Sequence, residues 1–270
     1  MVSITDSVSE GLKYPLNDLK KVFIFGILFT LLGFISFGII EEIIKLFIVF
    51  SKSSGMTLAS KFSNLPANDI YIIAILAIIT LIISIFIMGY QYKVMKFSIE
   101  RKNDLPEYGD VLNLLTNGLK YLIVCLIYNI LPIAVFLLGM ESILNDYLVS
   151  AIALILYIIC NFLLIMALPN MVDTGKIAKA FDFREIIDKI ANLGWVKYVG
   201  IILFTLIIYA IIMAAVGIIF SVISTILALI IPHPMIITAI TLIIGGLVVS
   251  PYISIFFARV YGSIYREANK

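Results

Sequence analysis

The sequence predicts an all-α fold: a polytopic membrane helical bundle of about six transmembrane helices, arranged as three hairpins with amphipathic cytoplasmic segments. Three observations carry the prediction. The 270-residue chain is 62% hydrophobic and 13% charged, against roughly 45–50% and about 25% for soluble domains. Its apolar residues fall in long uncharged runs. Its basic residues fall almost entirely between alternate runs.

The runs are Val22–Ile40, Ile70–Tyr92, Tyr121–Met140, Tyr147–Val172 and Tyr198–Ala258, of 19, 23, 20, 26 and 61 residues. A spanning helix takes roughly 20 apolar residues. The last run is too long for one span. Pro232-His233-Pro234 divides it into about 198–231 and 235–258, since two prolines around one residue favour a turn. Continuous rather than alternating apolar runs favour helices over a barrel. No cleavable leader is expected: the first 21 residues hold Asp6, Glu10 and Asp18, and the first run is long enough to stay as an anchor.

Charge sets the orientation. Lys13, Lys20 and Lys21 precede span one. Lys93, Lys96, Arg101, Lys102 and Lys120 separate spans two and three; Lys176, Lys179, Arg184, Lys189 and Lys197 separate four and five; Arg259, Arg266 and Lys270 close the chain. The opposite face keeps only Lys45, Lys52 and Lys61 of the 19 basic residues. The positive-inside rule places both termini in the cytoplasm of a cell-membrane protein. Lys20, Lys21, Lys93, Lys96, Lys120, Lys197 and Arg259 lie at span edges and are candidate lipid-headgroup anchors.

The cytoplasmic segments share a plan. Residues 105–121 and 180–198 each place an acid after an aromatic, then apolar pairs, then Asn, Gly and Lys-Tyr at the span edge. Gly11-Leu-Lys-Tyr14 repeats Gly118-Leu-Lys-Tyr121. The chain reads as one integral membrane domain, 1–270, built of units at about 1–92, 93–168 and 169–270. Ile186, Ile187 and Ile190 recur at helical spacing, as do Val111, Leu112 and Leu115. Asp182 and Glu185 form a capping-box pattern. Such segments suit the headgroup layer, apolar face down. They either sense lipid or simply anchor the hairpins, and the second role asks less of them. Trp195 and Tyr90, Tyr92, Tyr121, Tyr147, Tyr198 and Tyr261 fit an aromatic belt.

Two spans look longer than the bilayer. Span one extends through Glu41, Glu42 and Lys45 to Phe50 if Glu41 and Lys45 pair four apart. Its length would then be about 43 Å, against an apolar core of about 30 Å. The stretch 198–231 must tilt, project or break, with Gly217 or 221–225 the expected break. Residues 51–69 read as a polar loop.

The spans hold no ionisable residue between their edges, which argues against a pump or proton relay. Their polar residues are amides and hydroxyls, among them Asn129, Asn161, Thr205, Tyr209, Thr238 and Thr241. Tyr128, Asn129 and Asn161 are candidates either for interhelical hydrogen bonds or for a polar cavity, with Pro132 loosening span three. Gly26, Gly33, Ala210, Ala214 and Gly245-Gly246 allow close helix approach. The last pair with Pro251 also suits a hinge. Cys125 and Cys160 sit inside spans as small packing residues, and His233 as an exposed turn residue. No phosphate loop, HExxH or CxxC is present. Asp104, Glu107 and Asp110 read as a solvated face, and the bases are too interleaved with acids for nucleic acid. Neither enzymatic activity nor a cofactor is expected. The expected partners are membrane lipids, with a homo-oligomer or other membrane proteins left open.

Four stretches resemble one family: Tyr14-Pro-Leu-Asn-Asp-Leu-Lys-Lys21, Leu105-Pro-Glu-Tyr108, Phe181-Asp-Phe-Arg-Glu-Ile186 and Ala258-Arg-Val-Tyr-Gly-Ser-Ile-Tyr-Arg-Glu-Ala268. Together they resemble the mainly archaeal integral membrane family called domain of unknown function 4013. Leu19 stands where many relatives carry tryptophan. The resemblance implies fold and topology but no activity and no functional residues. The expectation is therefore a non-enzymatic protein that organises the membrane or binds lipid. The alternative is a transporter or accessory subunit for a neutral or apolar solute.

Overall fold

A computed structural model describes residues 4–52, 65–139, 146–231 and 233–270. Helix α1 (Ile4–Lys13) leads through a 3-10 turn (Tyr14–Asn17) into α2 (Leu19–Lys52), followed by α3 (Ala67–Ile99), α4 (Val111–Gly139) and α5 (Asp146–Thr174). A second 3-10 turn (Ile177–Phe181) precedes α6 (Phe183–Leu193), α7 (Trp195–Ile230) and α8 (Pro234–Ile244). A π-helical turn (Gly245–Val249) and α9 (Ser250–Ala268) close the chain. The described residues contain no strand. Six stretches are long and apolar enough to cross a membrane: α2, α3, α4, α5, α7, and the continuous run of α8, π turn and α9. The all-α, multi-span expectation holds.

Local sequence explains where these helices start and stop. Helix α2 continues past Ile40 because Lys45 reaches both Glu41, at 3.5 Å, and Glu42, at 2.8 Å. Those partners lie three and four residues away, on one helix face. Asp182 caps α6 by accepting from the Glu185 N–H at 3.2 Å, as the capping pattern predicts. Gly194, at φ +92°, ends it, a conformation L side chains rarely adopt. His233 precedes α8 in extended conformation and Pro234 fills its first turn, where a missing N–H costs nothing. At the π turn the Ser250 N–H reaches back to the Gly245 carbonyl. Pro251 follows with no N–H to offer, so the helix widens there rather than stopping.

Three expectations fail. Helix α7 runs unbroken through Gly217 and residues 221–225. The Thr225 hydroxyl donates to the Ser221 carbonyl at 2.8 Å, so the polar residues bond within the helix instead of breaking it. No separate amphipathic helix precedes α4. Residues 105–110 are irregular, Asp110 takes φ +62°, and its carboxylate caps α4 directly through the Asn113 N–H. Ala210 and Ala214 are exposed and Gly217 faces open space, so this stripe packs against nothing described. The polar 51–69 loop lies mostly outside the described residues.

Two compact units divide the chain. The first comprises Met1–Leu19, Met88–Ala215 and Tyr252–Lys270. Its core joins Met95, Val124, Met166, Ile186, Tyr198 and Phe256. Ile186 and Ile190 of α6 are fully buried, as is Val8 of α1. Ile186 and Ile190 on α6 and Val8 on α1 therefore pack on protein, because the core offers them a close apolar partner, while Phe183 and Ile187 of α6 stay exposed. The belt expectation fails for the same reason at Tyr90, Tyr92, Tyr121 and Tyr198, all buried. Trp195 and Tyr147 do stay exposed.

The second unit comprises Lys20–Ile87 and Val216–Pro251. Here backbones meet directly. A Cβ at Gly26 would lie 2.3 Å from the Leu247 carbonyl oxygen, and one at Gly246 would lie 2.6 Å from the Thr30 Cα. Only glycine permits that approach, as the glycines of spans one and six suggest.

Candidate functional site

The sites that could recognise a ligand are polar, and they gather in the first unit. Helix α9 presents Arg259 and Arg266 seven residues apart, on one face. Glu10 of α1 lies between them: Oε1 is 2.5 Å from Arg259 Nη2, and Oε2 is 2.7 Å from Arg266 Nη2. Arg259 is 1% exposed. It also donates to the Lys102 carbonyl at 2.6 Å and stacks 4.1 Å from the centre of the Tyr14 ring. Arg266 donates to the Ser98 carbonyl at 2.8 Å. Burial pushes the Glu10 carboxyl up, but the two guanidiniums more than offset it, holding it below its ordinary value. Tyr14 is pushed up to about 12, chiefly by burial.

These contacts hold the irregular segment between α3 and α4. Its backbone groups find side chains in place of helix partners. The Tyr14 hydroxyl donates to the Asp104 carbonyl at 2.7 Å and the Asn17 amide to the Asn103 carbonyl at 3.0 Å. Lys93 donates to the Gly109 carbonyl at 2.9 Å, and Tyr90 stacks on Tyr108 at 4.7 Å.

A second polar network ties α6 to α5 and α9. Lys189 Nζ lies 3.1 Å from Glu185, 2.9 Å from Asn170 Oδ1 and 2.5 Å from the Tyr265 hydroxyl. That hydroxyl is 2.9 Å from both Asn170 Oδ1 and Asp173 Oδ2. Lys179 bridges Asp182, at 2.9 Å, and Glu185, at 2.6 Å. Lys179 lowers both carboxyls through hydrogen bonds, and they raise its own value in return. No grouping of three metal-ligating side chains occurs among the described residues.

The expected site residues separate into three fates. Asn129 and Asn161 do meet: Asn161 Nδ2 is 3.4 Å from Asn129 Oδ1, and each amide also donates to a carbonyl one turn back, Cys125 at 2.8 Å and Tyr157 at 2.9 Å. This is an interhelical contact between α4 and α5. Tyr128 does not join it, since its hydroxyl donates to the Ala180 carbonyl at 2.6 Å. Asn161 also borders an apolar groove of about 440 Å³ with Tyr121, Cys125, Phe162 and Tyr261, which Asn129 does not line. Arg259 is not an exposed anchor at a span edge: it is buried against Glu10, where it lines a small basic pocket. Lys93 and Lys120 are committed in part to the carbonyls of Gly109 and Gly175. Lys20 and Lys96 are exposed, and Lys21 and Lys197 partly so.

Glu10, Arg266, Asn170 and Tyr265 were not anticipated as a group. Asn170 carried a signal, being an amide inside the fourth apolar run. Glu10 carried none, because its partners lie at the far end of the chain.

The fold and these sites define a class: a multi-pass helical membrane bundle whose polar groups are concentrated at helix ends. The chain belongs to the family described as protein of unknown function (DUF4013), which matches residues 72–221. It is similar to the uncharacterized protein MJ1189 of Methanocaldococcus jannaschii, at 27% identity over 136 residues, 49% of this chain and 47% of that protein. It is also similar to the uncharacterized protein MJ0233 of the same organism, at 23% identity over 197 residues, 69% of this chain and 68% of that protein. The match thus spans about half the length of MJ1189. No solved structure matches the chain.

Proposed function

We propose that this is a non-enzymatic protein of the cell membrane, both termini cytoplasmic, that binds and orders the lipid around it. The corner between α6 and α7 carries the reading. Phe183, Ile187 and Trp195 are 49%, 43% and 49% exposed, and Val196 is 87% exposed. Arg184 and Lys197 stand beside them in sequence. Exposed aromatic and aliphatic side chains next to cations suit the boundary between headgroups and acyl chains. Each cation near an anionic surface adds about 1 kcal/mol. Lys20 and Lys96, both exposed, extend the same chemistry.

Trp195 is the only tryptophan, so its fluorescence reports this corner alone. In vesicles carrying lipids brominated at different depths, shallow bromines should quench it more than deep ones, and more so when anionic lipid is present. Absence of quenching at every depth would place the corner in water or against protein and remove the basis of the reading.

A further inference from the structure

We propose that a basic pocket at the ends of α3 and α9 binds a phosphate group, either from an anionic lipid headgroup or as free phosphate. The pocket has a volume of about 250 Å³ and is lined by Arg101, Arg259, Arg266 and Lys270, with Glu10, Glu267 and Asn103. That volume admits a phosphate and excludes a folded partner. Four cations face two carboxylates. Glu267 is spent on Lys270, at 2.7 Å. Glu10 is shared by two guanidiniums. Arg101 forms no ion pair among the described residues, and its side chain is exposed at the rim. The pocket is left with two positive charges in excess.

Hydrogen-bond capacity points the same way. The two guanidiniums carry ten N–H groups between them, while the acceptors that reach them are the Glu10 carboxylate, the Lys102 and Ser98 carbonyls and the Ser263 hydroxyl. Both Nε–H groups, on Arg259 and Arg266, are buried without an acceptor, and Arg259 is itself 1% exposed. A buried donor without a partner is uncommon in a native fold and calls for an explanation. Guanidinium pairs match the oxygens of phosphate in bidentate geometry, which a lone lysine does not. Basic pockets at the cytoplasmic ends of spanning helices suit anionic headgroups. The lipid source of the phosphate rests on the lipid-binding reading above; the free-phosphate source does not.

The test uses the full chain in nanodiscs of zwitterionic lipid. Its unfolding midpoint is measured with inorganic phosphate added, and separately with phosphatidylglycerol replacing part of the lipid. Three proteins are compared: the unaltered chain, Arg101→Gln, and Lys176→Gln as a control for an exposed cation outside the pocket and outside the proposed headgroup anchors. Arg101 is exposed and unpaired, so its loss leaves the fold intact. A rise in midpoint with phosphatidylglycerol alone assigns the headgroup. A rise with inorganic phosphate assigns the free anion, and a rise with both assigns the shared chemistry. In each case Arg101→Gln should weaken the apparent affinity about fivefold, with Lys176→Gln unchanged. The proposal is overturned if neither addition moves the midpoint, or if the two variants weaken the response equally. Trp195 quenching reads a different corner of the unit, so its loss alongside an intact phosphate response would remove the lipid reading and leave the pocket.

Discussion

The two units of this chain meet the same demand, helix packing, with opposite chemistry. In the first, long-range hydrogen bonds and ion pairs join α1, α3, α5, α6 and α9, and nearly every buried side chain among the described residues belongs to it. In the second, helices touch through glycine and backbone, and apolar side chains such as Phe34, Phe37, Ile40 and Ile75 remain exposed. Lipid explains the second pattern. An apolar solvent gives apolar side chains no reason to bury, so close backbone approach becomes the main source of contact energy. The first unit holds the spans α4 and α5 together with helix ends and connectors, whose polar groups need partners that lipid cannot supply. Burial and polar contacts therefore concentrate in the same unit, around a core that is itself mainly apolar.

The comparison breaks most visibly at Glu10. Glu10→Gln keeps the side-chain shape but leaves Arg259 buried with its charge uncompensated. Removing one partner of a buried pair costs about 3–5 kcal/mol. Glu10 keeps 29% side-chain exposure, so a loss of about 3 kcal/mol is expected, read as a lowered unfolding midpoint in detergent. The pH dependence follows in sign. The Glu10 carboxyl is held below its ordinary 4.5, so its contribution is complete above that value and fades as pH falls toward the lowered one. The gap between the unaltered chain and Glu10→Gln should be widest near neutrality and close below about pH 4.5. A gap constant with pH would show that the carboxylate's charge is not what matters.

In the second unit the sensitive positions are glycines. Gly26→Ala forces α2 away from the Leu247 backbone and should cost about 2 kcal/mol, within the overpacking range. Gly246→Ala should behave alike against Thr30. Gly217→Ala, in the same unit but facing open space, should be neutral or stabilising, since alanine is the better helix former. If all three alanines behave alike, backbone approach is not what holds this unit together. Between the two extremes lies Gly194→Ala. Nothing lies within 4 Å of a Cβ there, so any cost comes from φ +92° alone. That cost is on the order of 1–2 kcal/mol, measurable by the same unfolding assay.

How far the sequence discloses this architecture follows the same division. Span number is legible because uncharged run length is a local quantity, and the separation of α7, ending at Ile230, from α8, starting at Pro234, is foretold by a three-residue pattern. The α6 cap is equally local. The expected break in α7 fails because Gly, Ser and Thr are tolerated in a long helix whose hydroxyls can bond their own carbonyls. The first unit's network is illegible for the opposite reason: Glu10 and Arg266 are 256 residues apart, and no spacing rule relates them. The same distance hides the fate of α6. Its amphipathic pattern shows that one face is apolar, but whether lipid or protein covers that face depends on helices elsewhere in the chain. Arg259 was read from its place at a span edge, and only the position of α1 decides that it turns inward.

The smallest expected effect tests whether the first unit's polar chemistry reaches into its apolar helices. Asn129 and Asn161 join α4 to α5 at 3.4 Å, at the long end of hydrogen-bond geometry, while each amide already has a shorter bond to its own helix. A cross-helix bond inside a membrane averages about 0.6 kcal/mol. The coupling in a double-mutant cycle of Asn129→Leu and Asn161→Leu should therefore be about that size or smaller. Each single variant should fold, because leucine suits the apolar surroundings and each lost amide takes its own donors with it. A coupling well above 1 kcal/mol would mean that the pair acts with further polar partners, water in the neighbouring groove among them. Within the first unit, α4 and α5 would then be governed by the same hydrogen-bond chemistry as its helix ends, and not by shape alone.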